Sequence, residues 1–268
     1  LASLGQIEPG LAVDGLKNGL PDLEESLPAS VFSQQETLSL KSTMDGVARL
    51  VNSVRDRLST DAWQTLNQLQ SDWNPSAQSL QKMDSTRLLQ LVQRIINGMA
   101  QFGGLSSEGM TRTQVWRFLE LGRRIERVWH TATMLQATLV EVNDPEGLVM
   151  ESVLESCNSI MTYRGRYLST LQAEAVIDLL TTDDTNPRSL IFQLSRIQDH
   201  VAKLPSANQA VLGPDERLAM SLYNSVRLSE PHKLAQPEDG ERRSLDRLMQ
   251  RMLDQIPKLS NAISQRYL

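Results

Sequence analysis

From about residue 36 to the end of the chain, apolar residues recur every three or four positions with hardly a break. No run alternates β-branched or aromatic residues with polar ones, so the strand period is missing. A chain patterned this way buries helix faces against one another. The expected fold is all-α: a multi-helix bundle of about eight to nine helices with one long central helix. Residues 1–35 read differently, with Gly5, Gly10, Gly15, Gly19, Pro9, Pro21 and Pro28 scattered among leucines, and predict a linker or docking arm ahead of a helical domain over 36–268. Because the chain opens on Leu1, it is expected to be part of a longer polypeptide.

Capping residues predict where the helices begin and end. Ser59-Thr60-Asp61 precedes Ala62 to Trp73, and Asn74-Pro75 follows. Asp84-Ser85 opens a segment from Thr86 to Phe102, with Gly103-Gly104 as its stop. Thr111 with Gln114 three residues on is a capping-box pattern, and the longest periodic stretch follows it to about Val142. Asp144-Pro145 starts another helix to about Tyr167, and a short one covers Gln172 to Leu180. Asn186-Pro187 pairs a cap with proline at a first helical position. Further helices are expected near 214–228 and 239–266, the last kinked at Pro257. Leu40, Met44, Val47, Val51 and Val54 share their spacing with Leu190, Leu194, Ile197, Val201 and Leu204, which any two amphipathic helices also do.

The charge of −5 provides no basic field for nucleic acid or anionic lipid. A single cysteine, Cys157, excludes an intramolecular disulfide framework and a cysteine-rich zinc site, and fits a reducing cytoplasm. No apolar stretch reaches the roughly 18 residues of a membrane span. A soluble cytoplasmic protein without nucleic-acid or membrane partners is the expectation. His130, His200 and His232 form no Glu-x-x-His pair, so no metal site is expected, and no phosphate-loop pattern provides for ATP in this chain. Cys157 falls in mid-helix without a basic neighbour in sequence and reads as a buried, inert thiol.

The most unusual segment runs from Thr111 to His130 and is locally basic in an acidic chain. At 100° per residue, Val115, Phe118, Gly122, Ile125, Trp129 and Ala132 form an apolar stripe. Arg117, Glu120, Arg124 and Arg127 lie on the opposite, solvated side. Glu126 borders the apolar stripe, and a carboxylate enclosed there needs a partner or must protonate. Gly122, one turn earlier, leaves room beside it. Three readings stay open: an interhelical Glu–Arg pair that fixes register, a binding or acid–base group, or simple exposure to solvent.

Two further constellations carry candidate chemistry. Tyr163, Arg164, Gly165, Arg166 and Tyr167 bring two phenols and two guanidiniums together at a helix end, suited to a carboxylate or phosphate. The same arginines also suit a helix dipole, and the tyrosines simple packing. Asp183 to Ser189 joins Asn186 and Arg188 at a helix start, where free N–H groups either hold an anion or are merely capped.

These segments, with Ser53 to Trp63 ahead of them, resemble the bacterial alpha-E domain family. The resemblance runs from about Glu36 to Tyr267 and rests on Trp116-Arg117-Phe118-Leu119, Leu121 to Arg127, Met161 to Arg164, and Thr185 to Leu190. It implies a helical module that accompanies a circularly permuted ATP-grasp domain, in the same chain or a separate one, in systems forming or cleaving peptide-type amide bonds. ATP and Mg would then belong to that partner domain, with no cofactor in this chain. Gly165 departs from the pattern, because relatives tend to carry another Arg there.

The functional expectation is an auxiliary module that binds a peptide or amino-acid substrate, or its partner domain, through Arg117, Arg123, Arg124, Arg127, Tyr163, Arg164, Tyr167, Asn186 and Arg188. Glu126 orients those arginines from the interior. The alternatives are an independent enzyme acting on an amide or ester, with Glu126 as general acid–base, and an oligomerisation scaffold.

Overall fold

The computed structural model describes residues 31–32, 39–73, 83–142, 145–167, 170–205 and 211–267. Among them the chain forms α1 (Leu40–Ser53), α2 (Thr60–Trp73), α3 (Ser85–Gly109), α4 (Gln114–Leu139), α5 (Glu146–Ser156) and α6 (Ile160–Tyr167). It continues with α7 (Ala173–Thr181), α8 (Leu190–Val201), α9 (Pro214–Arg227), α10 (Pro231–Ala235) and α11 (Arg243–Tyr267). The fold is all-α, and no strand occurs among the described residues. Most of residues 1–35, Asn74-Pro75 and Asp144 lie outside the described residues.

Among the described residues eleven helices stand where eight to nine were expected, and local chemistry explains two of the added boundaries. Asn158 takes a left-handed φ of 49°, a conformation its short polar side chain tolerates better than most. With it the Ser159 N–H turns back to Leu154 O at 2.7 Å, splitting the expected 145–167 helix into α5 and α6. Cys157 therefore caps a helix end and is not in mid-helix. Pro231 opens the additional short α10, and α11 begins at Arg243 and passes through Pro257 as one element.

Three other boundaries also differ. Asp84 caps α3 by accepting from the Arg87 N–H at 2.7 Å, as its sequence suggests, but the helix continues through Gly103-Gly104 to Gly109. Each glycine costs about 1 kcal/mol of helix propensity, too little to end a helix that still has a face to bury. The spine helix α4 ends at Leu139, short of Val142. Asn186 does not cap α8; Ser189 does, accepting from the Phe192 N–H at 3.1 Å, and Pro187 lies in the turn before it.

The chain divides into two compact units, one ending at Trp116 and the other beginning at Arg117. The core of the first unit is formed by Met44, Val51, Leu66, Leu69, Trp73, Leu91 and Ile95. The second, larger core gathers the inner faces of α4 to α11. On α4 its members are Leu121, Ile125, Val128, Ala132, Leu135 and Leu139, alternating four and three apart as on a bundle seam. Full burial of each such aliphatic side chain contributes about 1.5–3 kcal/mol.

This seam corrects the expected stripe. Its centre is turned by about 70° from that of Val115, Phe118, Gly122, Ile125, Trp129 and Ala132 at 100° per residue. Ile125 and Ala132 belong to both sets; Phe118 and Trp129 pack at the edge; Gly122 is exposed, with open space where a β-carbon would stand. The turn brings Glu120, Arg124 and Arg127 toward the protein and takes Glu126 away from it.

Candidate functional site

The burial expected of Glu126 is found at Glu120. The Glu120 side chain is only 10% exposed, and both of its oxygens are engaged: Arg123 Nη1 donates to Oε1 at 2.8 Å and Arg124 Nη2 to Oε2 at 2.6 Å. These partners lie three and four residues on, where helix geometry brings them to the same face. Glu126 is 70% exposed, with His130 Nε2 at 3.6 Å beside it, so it neither borders the core nor orients the arginines.

A second helix completes the cluster. Arg124 Nη1 donates to Gln193 Oε1 on α8 at 3.2 Å, and the Gln193 amide in turn donates to Pro187 O. Burial pushes the Arg124 guanidinium below the usual arginine value, while Glu120 pulls it back up. Arg127 is also half-buried and held below its usual value, first by burial and then by Arg188, Arg123 and Arg124 around it. Arg127 and Arg188 have no carboxylate partner among the described residues, although Arg188 donates its backbone N–H to Asn186 Oδ1 at 3.1 Å.

His200, the penultimate residue of α8, is buried and feels the same field. Burial lowers its value most, and Arg124 and Arg117 add to the effect while Glu120 opposes it. The expected arginines Arg117, Arg123, Arg124, Arg127 and Arg188 thus converge, but around Glu120, whose single negative charge leaves a surplus of positive charge. Guanidiniums held in this way recognise carboxylates and phosphates through paired N–H donors. Sequence reasoning placed Glu120 on the solvated side, gave His200 no role beyond excluding a metal pair and did not single out Gln193; the available signal was the pair of arginines three and four residues after Glu120.

The tyrosine constellation is a structural joint. Tyr163 and Tyr167 share a face as expected, with ring centroids 5.1 Å apart. Tyr163 is fully buried; its hydroxyl donates to Thr170 O at 3.1 Å and accepts from the Gln172 N–H at 2.9 Å, tying α6 to the start of α7. The Tyr167 hydroxyl donates to Asp178 at 3.3 Å, and burial raises its value above the ordinary phenol. The arginines divide: Arg164 turns away to pair with Glu151 at 2.8 Å on the surface, whereas Arg166 pairs with Asp183 and Thr185 and also meets the Tyr167 hydroxyl. Asn186 is buried, its amide donating to Leu179 O at 2.8 Å and Ser159 Oγ at 3.3 Å, and it serves as a tie between helices.

Cys157 is buried, and desolvation pushes its thiol up to about 11 despite the nearby Arg188 charge. Among the described residues no group of three His, Cys, Asp or Glu side chains is placed to hold a metal ion, and no helix is long and apolar enough to cross a membrane.

The fold and cluster define an all-helical domain that holds a surplus of guanidinium around a buried carboxylate. The chain belongs to the Alpha-E family, described as a predicted alpha-helical domain with a conserved ER motif, whose model matches residues 4–268. Glu-Arg pairs occur here at Glu126-Arg127, Glu216-Arg217 and Glu241-Arg242. Arg127 joins the cluster above. Arg242 is buried and donates to Ala235 O and Leu139 O, both at 2.9 Å, while lying 2.5 Å from Glu146.

Similar proteins include uncharacterised proteins of Mycobacterium bovis and of two Mycobacterium tuberculosis strains, each 33% identical over 218 residues. The alignment covers 79% of this chain and 24% of each relative, so the chain spans about a quarter of the length of those proteins. No solved structure matches the chain.

Proposed function

We propose that this chain is a non-catalytic helical module that binds an anionic group of a peptide or amino-acid substrate in an ATP-grasp-associated amide-ligase system. One observation carries the reading. Arg127 and Arg188 are half-buried, crowded by other guanidiniums, and without a carboxylate of their own among the described residues. Like charges held together at a cost are relieved by an anion entering between them. The ATP-grasp association is what the family resemblance implies, and relatives in which the matched segment is a minor part of a longer protein leave room for such a domain. In such a system ATP and Mg belong to the ATP-grasp domain, and the working environment is the cytoplasm. The alternative with Glu126 as acid–base has less support, because that carboxylate is exposed and lies apart from the arginine cluster.

Calorimetric titration with N-acetylglycine, a peptide-type carboxylate, and with inorganic phosphate tests the module. Arg127→Ala and Arg188→Ala are expected to weaken binding at least fivefold with helicity retained, and Arg164→Ala, whose partner is Glu151, to leave it unchanged. Equal affinity in all variants would overturn the proposal. N-acetylglycine binding more tightly than phosphate would support the substrate class; the reverse would point to a phosphorylated ligand.

A further inference from the structure

A second candidate site lies in the first unit and differs in chemistry from the arginine cluster. The seam between α2 and α3 opens into a groove of about 950 Å³. Its floor includes Leu69 and Gly98; a β-carbon at Gly98 would collide with the Leu69 side chain, so glycine permits the helices to approach there. Its walls are rich in side-chain amides: Gln64, Asn67 and Gln68 on α2, Asn97 and Gln101 on α3.

Much of this hydrogen-bonding capacity is unspent within the chain. Gln64, Asn67 and Gln101 make no side-chain hydrogen bond among the described residues. Gln68 donates to Asp72 at 3.1 Å and keeps its carbonyl oxygen, while Asn97 accepts from Gln93 at 3.0 Å and keeps its amino group. A side-chain amide carries a donor and an acceptor in one plane, the same pair that a peptide group presents.

We propose that the α2–α3 groove holds an extended polypeptide segment by its main chain. Other ligand classes fit less well. The groove's aromatic residue, Trp63, is packed against the first core and has the Arg55 guanidinium over one ring face at 4.3 Å, which disfavours stacking of a sugar or a base. Asp61 and Asp72 outnumber Arg94, which disfavours an anionic polymer. The lengths agree: Asp61 to Asp72 and Arg94 to Leu105 each span about 16 Å at 1.5 Å per residue. That is about five residues of extended chain at about 3.3 Å each.

The test is titration of the full ¹⁵N-labelled chain with the blocked peptide Ac-Ala-Gly-Ala-Gly-Ala-NH₂, which presents peptide groups without charge. The expected result is saturable shifts of the Gln64, Asn67 and Gln101 side-chain amides, and at least a fivefold loss of affinity in the Asn67→Ala/Asn97→Ala variant at unchanged helicity. Arg127→Ala is expected to leave this binding intact, so failure of the anion site and failure of the groove are separable. Absence of shifts, equal affinity in the double variant, or saturation by maltopentaose but not by the peptide would each overturn the proposal.

Discussion

Glu120 and Glu126 lie on one helix, six residues apart, and occupy different media. Glu120 is enclosed and held by two guanidiniums; Glu126 is mostly in water. Removing one member of an enclosed charge pair leaves the others desolvated without compensation, which costs more than the pair contributed. Glu120→Gln is therefore expected to lower stability by about 1–3 kcal/mol in urea denaturation. Glu126→Gln should stay within about 0.5 kcal/mol of the wild type. The opposite ranking would return Glu126 to the interior and dissolve the cluster as described.

Among the helices, two glycines separate propensity from packing. Gly122 in α4 and Gly98 in α3 both lie inside long helices, where Gly→Ala alone gains about 1 kcal/mol. A β-carbon at position 122 meets open space, so Gly122→Ala should raise the melting temperature. At position 98 it runs into Leu69, and forced overpacking of this kind costs about 1–3 kcal/mol. Gly98→Ala is expected to lower the melting temperature, or at best to leave it unchanged, in thermal denaturation followed by circular dichroism. A clear increase would show that Leu69 yields freely.

Each compact unit of the whole molecule has its own buried core, and a cavity should be felt mainly by the core that contains it. Leu69 is 4% exposed in the first core, and Leu194 is fully buried in the second. Truncating a buried leucine to alanine costs about 2–5 kcal/mol. In hydrogen exchange, Leu69→Ala should speed exchange in α2 and α3 while α8 keeps its protection, and Leu194→Ala should do the converse. Equal acceleration of α8 by Leu69→Ala would show that the two cores open together.

Much of this architecture was legible along the chain because it depends on near neighbours. The 3.6-residue period set the helical class, Asp84 and Ser59 marked helix starts through their own side chains, and the arginine-rich stretch on α4 marked where the charge gathers. The spacing of Glu120 to Arg123 and Arg124 was equally local, and only the mistaken placing of the stripe hid its meaning. What periodicity left open was the rotation of α4. Phe118 and Trp129 on one edge, and Leu121, Val128 and Leu135 on the other, make its apolar arc broad, and a broad arc has no sharp centre. Packing against the helices that share its core decided which edge went inward, and so which carboxylate was buried. Likewise Gln193, Arg188 and His200 reach the cluster from α8 and the turn before it, more than sixty residues downstream, through contacts that no local pattern encodes.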